Sequence, residues 1–381
     1  MIATIPTSKL QEILDNCTRF VSKSSTLPVL ENIYIKAESD KVVFKSTDME
    51  KYIQFEINTQ VEAQGGLTVN AKVFSDIIRS LDDDEVKLEI DENTDMLTIN
   101  TTSDVFKVKG ISISEYVAAP SVSSDVAASI KPSELSKGID KVAYAVTERN
   151  FSPVLTGVLL KMKQESDGNK LVFVGTDSLR LAEYKIPYEG EFCEMELVIP
   201  KINIIDIKKM IDYVEEKGGT KIDVSFSENM VSFVADLEDS KIYTTSVLIQ
   251  GNFPNYDNES IIPRQYNTEI NTDKMQLEKS IKKVSILTKD VNNFVNISNL
   301  DEKKIVVRSG ETDKGEADTN INASIDGSDF KIGINGKYIS DFIKVIESDN
   351  ILINIVDNEK PVVFKDELDE NLVYVIRPLV D

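Results

Sequence analysis

The stretch PTSKLQEILDNCTRFV, residues 6–21, has the pattern of an amphipathic helix, since Leu10, Ile13, Leu14, Cys17 and Phe20 fall on one face at helical spacing. The same pattern returns in KPSELSKGIDKVAYAV (131–146) and NTDKMQLEKSIKKVSILT (271–288). Each copy has Ser, Thr or Asp near its start, which favours an N-cap there. A helix that recurs at offsets of 125 and 140 residues predicts three copies of one structural unit.

A second helical segment also occurs three times, each time with a lysine near its start: NAKVFSDIIRSL (70–81), IPKINIIDIKKMI (199–211) and INGKYISDFIKVI (334–346). Stretches rich in β-formers separate and follow the helices, and their Asp, Asn and Gly turns are typical of antiparallel hairpins. We therefore predict an α+β fold of three tandem repeats, each with two helices and antiparallel sheet. The predicted domains are residues 1–125, 126–250 and 251–381, joined near 121–129 and near Gly251.

The composition narrows the possible functions. The 381 residues include no histidine, which removes the commonest general base and the commonest transition-metal ligand. The apolar runs are too short for a membrane span, and the N-terminus lacks the layout of a signal peptide. We expect a cytoplasmic protein without membrane contact, with Cys17 and Cys193 as buried thiols and not a disulfide.

The charge is distributed unevenly. The six helical segments, with each first helix extended to its basic end, carry a net charge of +9, which leaves −31 for the rest of a chain of net charge −22. Any one basic helix is ordinarily a solvated face. Six basic helices in so acidic a chain favour a surface that faces phosphate, with an acidic exterior that repels nucleic acid elsewhere.

The segment VGTDSLRL (174–181) places an aspartate at the end of a strand, where a catalytic carboxylate could lie. Thr176 and Asp177 have counterparts in Thr47 and Asp48 of the first repeat. The third repeat has Ser309 in this register and a Thr-Asp pair three residues later. A pair that two repeats share favours turn chemistry, in which Asp accepts hydrogen bonds from nearby backbone amides, over catalysis.

Four motifs in this order carry a resemblance to a known family: TLPVLENIYI (26–35), GTDSLRLA (175–182), GNFPNY (251–256) and YVIRPLV (374–380). With the three repeats, the whole chain resembles the bacterial sliding clamps, the beta subunits of DNA polymerase III. The resemblance implies a head-to-tail homodimeric ring that encircles double-stranded DNA and tethers the polymerase without catalysing a reaction. It implies no cofactor and no metal. The implied partners are the replicative polymerase, the clamp loader and other proteins with a clamp-binding motif.

Ring geometry agrees with a dimer. Because a helix is about 10 Å across, six helices side by side leave a hole of roughly 9 Å, whereas twelve leave roughly 28 Å, enough for a duplex. The resemblance places DNA contacts, which would read phosphate and not sequence, on the helices. Ser24 stands where family members often carry arginine, so Lys23 is expected to substitute for it. The candidate DNA contacts are Lys23, Arg79, Arg149, Lys201, Lys208 and Lys209.

The resemblance also implies an apolar cleft between the second and third domains that receives Leu and Phe anchors of an extended peptide. In this chain NFPNYDNESIIP is longer than in some relatives and has Asp257, Asn258 and Glu259 where arginine is often found. The implied pocket residues are Leu155, Thr176, Ser178, Leu179, Arg180, Leu181, Pro254, Ile261, Pro361, Val375, Ile376, Arg377, Pro378 and Leu379.

For the dimer contact, the resemblance places Ile286 and Leu287 of one chain against the helix with Lys72, Phe74 and Ile78 of the other, although both segments could equally belong to domain cores. Two rival functions stay open. One is a protein-binding scaffold that never touches DNA. The other is a carboxylate-metal hydrolase or nuclease that uses the acidic run 82–85. Because that run follows a helix and precedes a strand, a solvated loop is the favoured interpretation.

Overall fold

The computed structural model describes residues 1–117, 122, 125–148 and 151–379. These residues repeat one order of elements three times: strand, helix, three strands, strand, helix, three strands. The first repeat has one additional short strand. Its elements are β1 (Ile2–Pro6), α1 (Thr7–Cys17), β2 (Asn32–Ala37), β3 (Lys41–Thr47), β4 (Lys51–Asn58), β5 (Val61–Ala63), β6 (Gly65–Asn70), α2 (Ala71–Arg79), β7 (Glu85–Asp91), β8 (Met96–Asn100) and β9 (Val105–Ile111).

The second and third repeats follow the same order. The second consists of β10 (Ala128–Ile130), α3 (Pro132–Ala143), β11 (Gly157–Glu165), β12 (Gly168–Thr176), β13 (Arg180–Pro187), β14 (Glu196–Pro200), α4 (Lys201–Glu216), β15 (Ile222–Phe226), β16 (Met230–Asp236) and β17 (Ser240–Val247). The third consists of β18 (Thr268–Asp273), α5 (Lys274–Thr288), β19 (Phe294–Asp301), β20 (Lys304–Arg308), β21 (Asp318–Gly327), β22 (Lys331–Asn335), α6 (Gly336–Ile343), β23 (Asn350–Ile355), β24 (Val362–Asp366) and β25 (Asp369–Ile376). The predicted α+β fold of three repeats is confirmed.

The chain forms two compact units. The first contains residues 1–136 and 202–249, and the second contains residues 137–201 and 250–381. Each unit has one antiparallel sheet. The first unit's sheet has the order β10-β15-β16-β17-β4-β3-β2-β6-β9-β8-β7-β1-β5, and the second unit's has the order β14-β11-β12-β13-β25-β24-β23-β18-β21-β20-β19-β22.

The helices bury the faces that the apolar spacing predicts. On α1, Leu10, Ile13 and Leu14 are at most 1% exposed, because burying one apolar stripe is what holds an amphipathic helix on a sheet. The predicted capping is right for α5, where the Asp273 side chain accepts a hydrogen bond from the Gln276 N–H at 2.7 Å. It is wrong for α1, which begins after Pro6 without a side-chain cap. Both cysteines are free; Cys17 is buried and Cys193 is half-buried.

Candidate functional site

The Thr-Asp turn between β12 and β13 is built by side chains that bind backbone. The Thr176 hydroxyl donates to the Arg180 carbonyl at 2.6 Å, and the Asp177 carboxylate accepts from the Leu179 and Arg180 N–H groups, each at 3.0 Å. Ser178 has φ +79°, so the two side chains hold a backbone conformation that few residues adopt. Asp177 is therefore committed to the turn, as predicted.

The first repeat builds the same turn. Thr47 donates to the Lys51 carbonyl at 2.8 Å, Asp48 accepts from the Lys51 N–H at 2.9 Å, and Met49 has φ +77°. The third repeat differs, since a longer hairpin joins β20 to β21, and there two glycines have positive φ, Gly310 at +68° and Gly315 at +116°. The turn is thus part of the scaffold in two repeats and is replaced in the third.

The turn of the second repeat also holds a largely buried arginine. The Arg180 guanidinium donates to Asp177 at 3.0 Å, to Asp341 of α6 at 2.9 Å and to the Tyr144 carbonyl at 2.8 Å. It also lies 4.3 Å from the ring centroid of Tyr338. Burial alone would raise the pKa of Asp341, but the hydrogen bond from Arg180 and the charge of Lys344 outweigh burial and hold this pKa below its ordinary value.

A pocket of about 480 Å³ in the second compact unit opens beside this turn. Its lining includes eleven of the fourteen predicted pocket residues: Leu155, Thr176, Ser178, Leu179, Arg180, Leu181, Pro254, Ile261, Pro361, Val375 and Arg377. The antiparallel pairing of β13 with β25 places Leu181 opposite Val375, and both side chains are at most 5% exposed. Residues from distant parts of the sequence therefore converge on an apolar floor.

Three predicted pocket residues, Ile376, Pro378 and Leu379, do not line it. Ile376 is fully buried between Val375 and Arg377, because successive side chains of a strand point to opposite faces of the sheet. The chain then leaves the ladder, and the Leu379 N–H donates to the Gly333 carbonyl at 2.9 Å, which ties this end to β22. The prediction is corrected for these three side chains.

Five lining residues were missed by the sequence reasoning: Phe253, Tyr256, Ser260, Glu359 and Lys360. Phe253 and Tyr256 meet edge to face with ring centroids 6.2 Å apart, and the Tyr256 hydroxyl donates to Glu183 at 2.7 Å. Burial and then the Glu183 charge raise the pKa of Tyr256 above its ordinary value. Both rings belong to a segment without helical or strand periodicity. The aromatic residue at each end of FPNY is the one sequence feature that indicates a packed segment here.

The segment after Tyr256 places the Asp257 carboxylate away from the pocket. Asp257 pairs with Lys163 at 2.7 Å and with Arg264 at 2.9 Å, and it does not line the cavity. The hydrogen bond from Lys163 lowers the pKa of Asp257. The positive rim of the pocket instead comes from Arg377 and Lys360, both exposed.

The predicted DNA contacts have different surroundings. Lys23 and Lys209 are exposed. Arg79 pairs with Asp15, Lys208 pairs with Asp212 at 3.0 Å, and Lys201 donates to the Val146 carbonyl at 2.6 Å. Arg149 lies outside the described residues. Lys209 also lies 3.9 Å from Asp212, so Lys23 is the one described member of the set without an ion pair or a side-chain hydrogen bond.

The predicted dimer contact needs a correction. Phe74 and Ile78 are fully buried, because the apolar face of α2 packs on its own repeat, so their side chains cannot meet a second chain. The exposed side of this helix carries Lys72 and Val73 instead, with Val73 45% exposed. Ile286 is 66% exposed and Leu287 is half-buried, so both are accessible.

The structure gives the metal alternative no support. Among the described residues no group of three or more Cys, Asp or Glu side chains is arranged to hold a metal ion. In the acidic run, Asp83 accepts hydrogen bonds from the N–H and the hydroxyl of Thr102, which ties the loop to the β8–β9 hairpin. No helix in the described part of the chain is long and apolar enough to span a membrane.

Comparison with known proteins agrees with this fold. Models of the DNA polymerase III beta subunit match in three parts: the N-terminal domain over residues 1–120, the central domain over 129–255 and the C-terminal domain over 259–380. The beta sliding clamp of a Synechocystis species is 28% identical, with 98% of this chain and 97% of that protein covered.

Solved structures show the same fold. The DNA polymerase sliding clamp of Bacillus subtilis has a TM-score of 0.90 at 26% identity and covers 100% of this chain and 99% of its own. A sliding clamp from Bartonella birtlesii bound to griselimycin has a TM-score of 0.89 at 22% identity and covers 100% of both chains.

Fold, repeats and relatives define a sliding clamp, which is a processivity factor and not an enzyme. The chain belongs to the DNA polymerase III beta subunit family.

Proposed function

We propose that two copies of this chain associate head to tail into a ring that encircles duplex DNA in the cytoplasm. On this proposal the pocket of the second compact unit binds short peptide segments of the replicative polymerase, the clamp loader and other partners. The three repeats act as domains 1–125, 126–250 and 251–381.

The strand pairings between consecutive repeats inside each unit indicate how two copies would pair with each other. In the first unit β4 pairs with β17 over Lys51–Ile57, and in the second unit β13 pairs with β25 over Arg180–Tyr184. In both cases the strand after the Thr-Asp turn of one repeat pairs with the last strand of the next repeat. The corresponding strands that remain are β21 of the third repeat and β9 of the first.

Both remaining strands have an open edge. Within the described residues, β21 is paired over 318–322 only with β20, and β9 is paired over 105–109 only with β8. Unpaired backbone groups on an edge strand are a template for pairing with another chain. Pairing of β21 in one copy with β9 in the next gives a heterologous contact, and two such contacts close a ring.

The side chains at these positions fit that contact. Tyr374 lies opposite Phe364 in its hairpin, and Phe106 lies opposite Ile99 at the equivalent place. Tyr374 packs on Tyr144 with ring centroids 5.4 Å apart. Tyr144 lies nine residues after Leu135, the core residue of α3, and Ile286 lies nine residues after Leu277, the equivalent residue of α5. Ile286 therefore occupies the place of Tyr144 in the third repeat. Phe106 of one copy should therefore pack on the exposed Ile286 of the next.

The pocket suits an extended peptide with apolar anchors. Leu155, Leu181 and Val375 form a buried apolar floor, and Leu179 adds an exposed apolar wall. Such a concave apolar site with a few polar groups is typical of sites that hold Leu and aromatic anchors. The rim cations Arg377 and Lys360 favour a peptide with a carboxylate beside its apolar residues.

DNA would be held by weak, sequence-independent contacts. Lys23 and Lys209 are exposed and can meet phosphate, with Lys209 also 3.9 Å from Asp212, while the acidic remainder of the chain opposes tight binding. A ring then stays on DNA because the ring encloses the duplex, and strong binding to the duplex is not required.

The observation that carries the proposal is the pair of open edges on β9 and β21. Sedimentation equilibrium tests it first, because the ring requires a solution mass of about twice 42.6 kDa. Clamp loader and ATP are then added with a nicked circular plasmid and the bound protein is counted by gel filtration. We expect retention on the circle and release when a restriction enzyme linearises it. Equal retention on both would favour ordinary DNA binding, and no retention on either would favour the scaffold alternative.

A further inference from the structure

Ion pairs join the first helix of one repeat to the loop after the second helix of the next repeat, and we term each such junction a helix seam. In the first unit Glu12 of α1 pairs with Lys217 at 2.6 Å. In the second unit Lys137 of α3 pairs with Glu347 at 3.2 Å, and Lys141 donates to the Val345 carbonyl at 2.5 Å. The two internal helix seams therefore use the same places in the repeat.

The first helix of the third repeat, α5, carries the side chains of a seam but has no partner for them among the described residues. Leu277 is its buried core residue, as Leu135 is in α3, so Lys279 and Lys283 occupy the places of Lys137 and Lys141. Both lysines are exposed, and neither forms an ion pair with any described residue. Lys282 on the same helix is different, since it pairs with Glu278 at 2.6 Å.

The complementary loop lies in the first repeat, after α2. The Thr7 N–H donates to the Asp84 carbonyl at 2.8 Å, and the Lys274 N–H donates to the Asp349 carbonyl at the same distance. Asp84 and Asp349 also follow the helix N-caps Asn70 and Asn335 by the same number of residues, so positions in the two loops correspond one to one. Asp82 then occupies the place of Glu347, and Ser80 occupies the place of Val345. Asp82 is exposed and forms no ion pair with the described residues.

We propose that Lys279 and Lys283 of one copy pair with Asp82 of a second copy, and that Lys283 also donates to the Ser80 carbonyl. This third helix seam rests on the proposed dimeric ring and specifies how it is held. The partner is a second copy because the two internal seams already join consecutive repeats, which leaves only α5 of the third repeat and the loop after α2 of the first repeat without a seam among the described residues. The acidic run after α2 thus becomes a determinant of ring closure, with Asp83 holding the loop to the β8–β9 hairpin.

The seam also selects the orientation of the copies. In a head-to-tail ring each contact sets lysines against a carboxylate. A head-to-head contact sets lysines against lysines, which is unfavourable. Because the internal counterpart of this pair is partly exposed, at 42% for Lys137 and 65% for Glu347, the seam should weaken with added salt.

Charge exchange between two chains tests the proposal. The helix variant is Lys279→Glu with Lys283→Glu, and the loop variant is Asp82→Lys. In each homodimer both contacts become like-charged, and we expect dimerisation to weaken roughly tenfold or more. In a mixed dimer one contact is wild type, and in the other the new carboxylates face the new ammonium group. Native mass spectrometry of the mixture should therefore show heterodimer well above the 1:2:1 ratio that mass-labelled wild-type chains give.

The controls separate this inference from the proposed ring. Lys303→Glu with Lys331→Glu makes the same charge change on exposed residues away from α5, and it should dimerise like wild type. A monomeric wild type overturns the proposed function itself. A dimeric wild type with a helix variant that dimerises as well as the control overturns only the seam. The seam is also overturned if both variants form weak homodimers and mixing them gives no excess of heterodimer. In that case misfolding, and not loss of the ion pairs, would explain the weak dimerisation.

Discussion

Removal of the Arg180 side chain should strongly destabilise the second compact unit. It is 10% exposed and binds Asp177, Asp341 and the Tyr144 carbonyl within 3.0 Å. Arg180→Ala deletes the cation but leaves the two carboxylates, of which Asp341 is only 16% exposed. The consequence is a nearly buried negative charge without its main partner.

The expected cost is about 3–5 kcal/mol of unfolding free energy, the usual result of removing one partner of a buried ion pair. Lys344 keeps a contact with Asp341 at 3.0 Å, which argues against a larger value. Arg180→Lys should cost less, about 1–2 kcal/mol, because one ammonium can hold both carboxylates but not the Tyr144 carbonyl as well. The first repeat shows that arrangement, where Lys51 contacts Asp48 at 3.2 Å and Asp206 at 2.8 Å.

Urea unfolding followed by circular dichroism and limited proteolysis is the assay. The two compact units can unfold in separate transitions. The loss of unfolding free energy in Arg180→Ala should therefore appear in the transition of the second unit, and the transition of the first unit should be unchanged. Arg377→Ala is the matched control, because this guanidinium is exposed and has no ion pair among the described residues, and we expect a change below about 0.5 kcal/mol. An Arg180→Ala cost equal to that of the control would refute the role of the network.

The pH dependence is a second readout. The pKa of Asp341 is lowered in the folded chain, so its contribution to stability is present above the pKa of the unfolded state and is lost as pH falls through the folded value. Wild type should therefore lose this contribution below about pH 4. Arg180→Ala should lose less on acidification, because much of the interaction that lowers the pKa is already gone.

Three further predictions concern the proposed surfaces. Leu179→Ser, at a side chain 43% exposed, should weaken binding of a fluorescent peptide with Leu and Phe anchors about tenfold in anisotropy titrations, whereas Leu27→Ser, at 48%, should not; unchanged affinity would remove Leu179 from the pocket wall. Phe106→Arg should convert the dimer to a monomer in sedimentation, with the exposed Phe192→Arg as control, and a dimer that survives would contradict the β9–β21 contact. Lys23→Glu with Lys209→Glu should lower affinity for linear duplex in filter binding and reduce its salt dependence, and an unaltered salt slope would place the phosphate contacts elsewhere.

Local information in the sequence accounts for much of the fold. The spacing of Leu10, Ile13 and Leu14 predicts both the first helix and its buried face, because helical periodicity is a property of neighbouring residues. The Thr-Asp turn could also be predicted, since Asp177 bonds to amides only two and three residues away. Comparison of the repeats then identified Asp177 as part of the scaffold.

The pocket was predicted only in part, because its members are distant in sequence. Resemblance supplied Leu181 and Val375, but the pairing of β13 with β25 decides that Val375 lines the pocket and that Ile376 lies on the opposite face. Phe253 and Tyr256 carry no periodic signal and are placed by packing and by the bond to Glu183.

The helices, the three repeats and the family can all be inferred from the order of residues alone. Which charges are accessible and which strand edges are open depends on how the chain folds. Lys208 and Lys209 are adjacent and alike in sequence, yet Lys208 is 14% exposed beside Asp212 and Lys209 is 51% exposed. The physical reason is that burial, ion pairing and strand pairing depend on residues far along the chain, whereas periodicity and turn chemistry depend only on near neighbours.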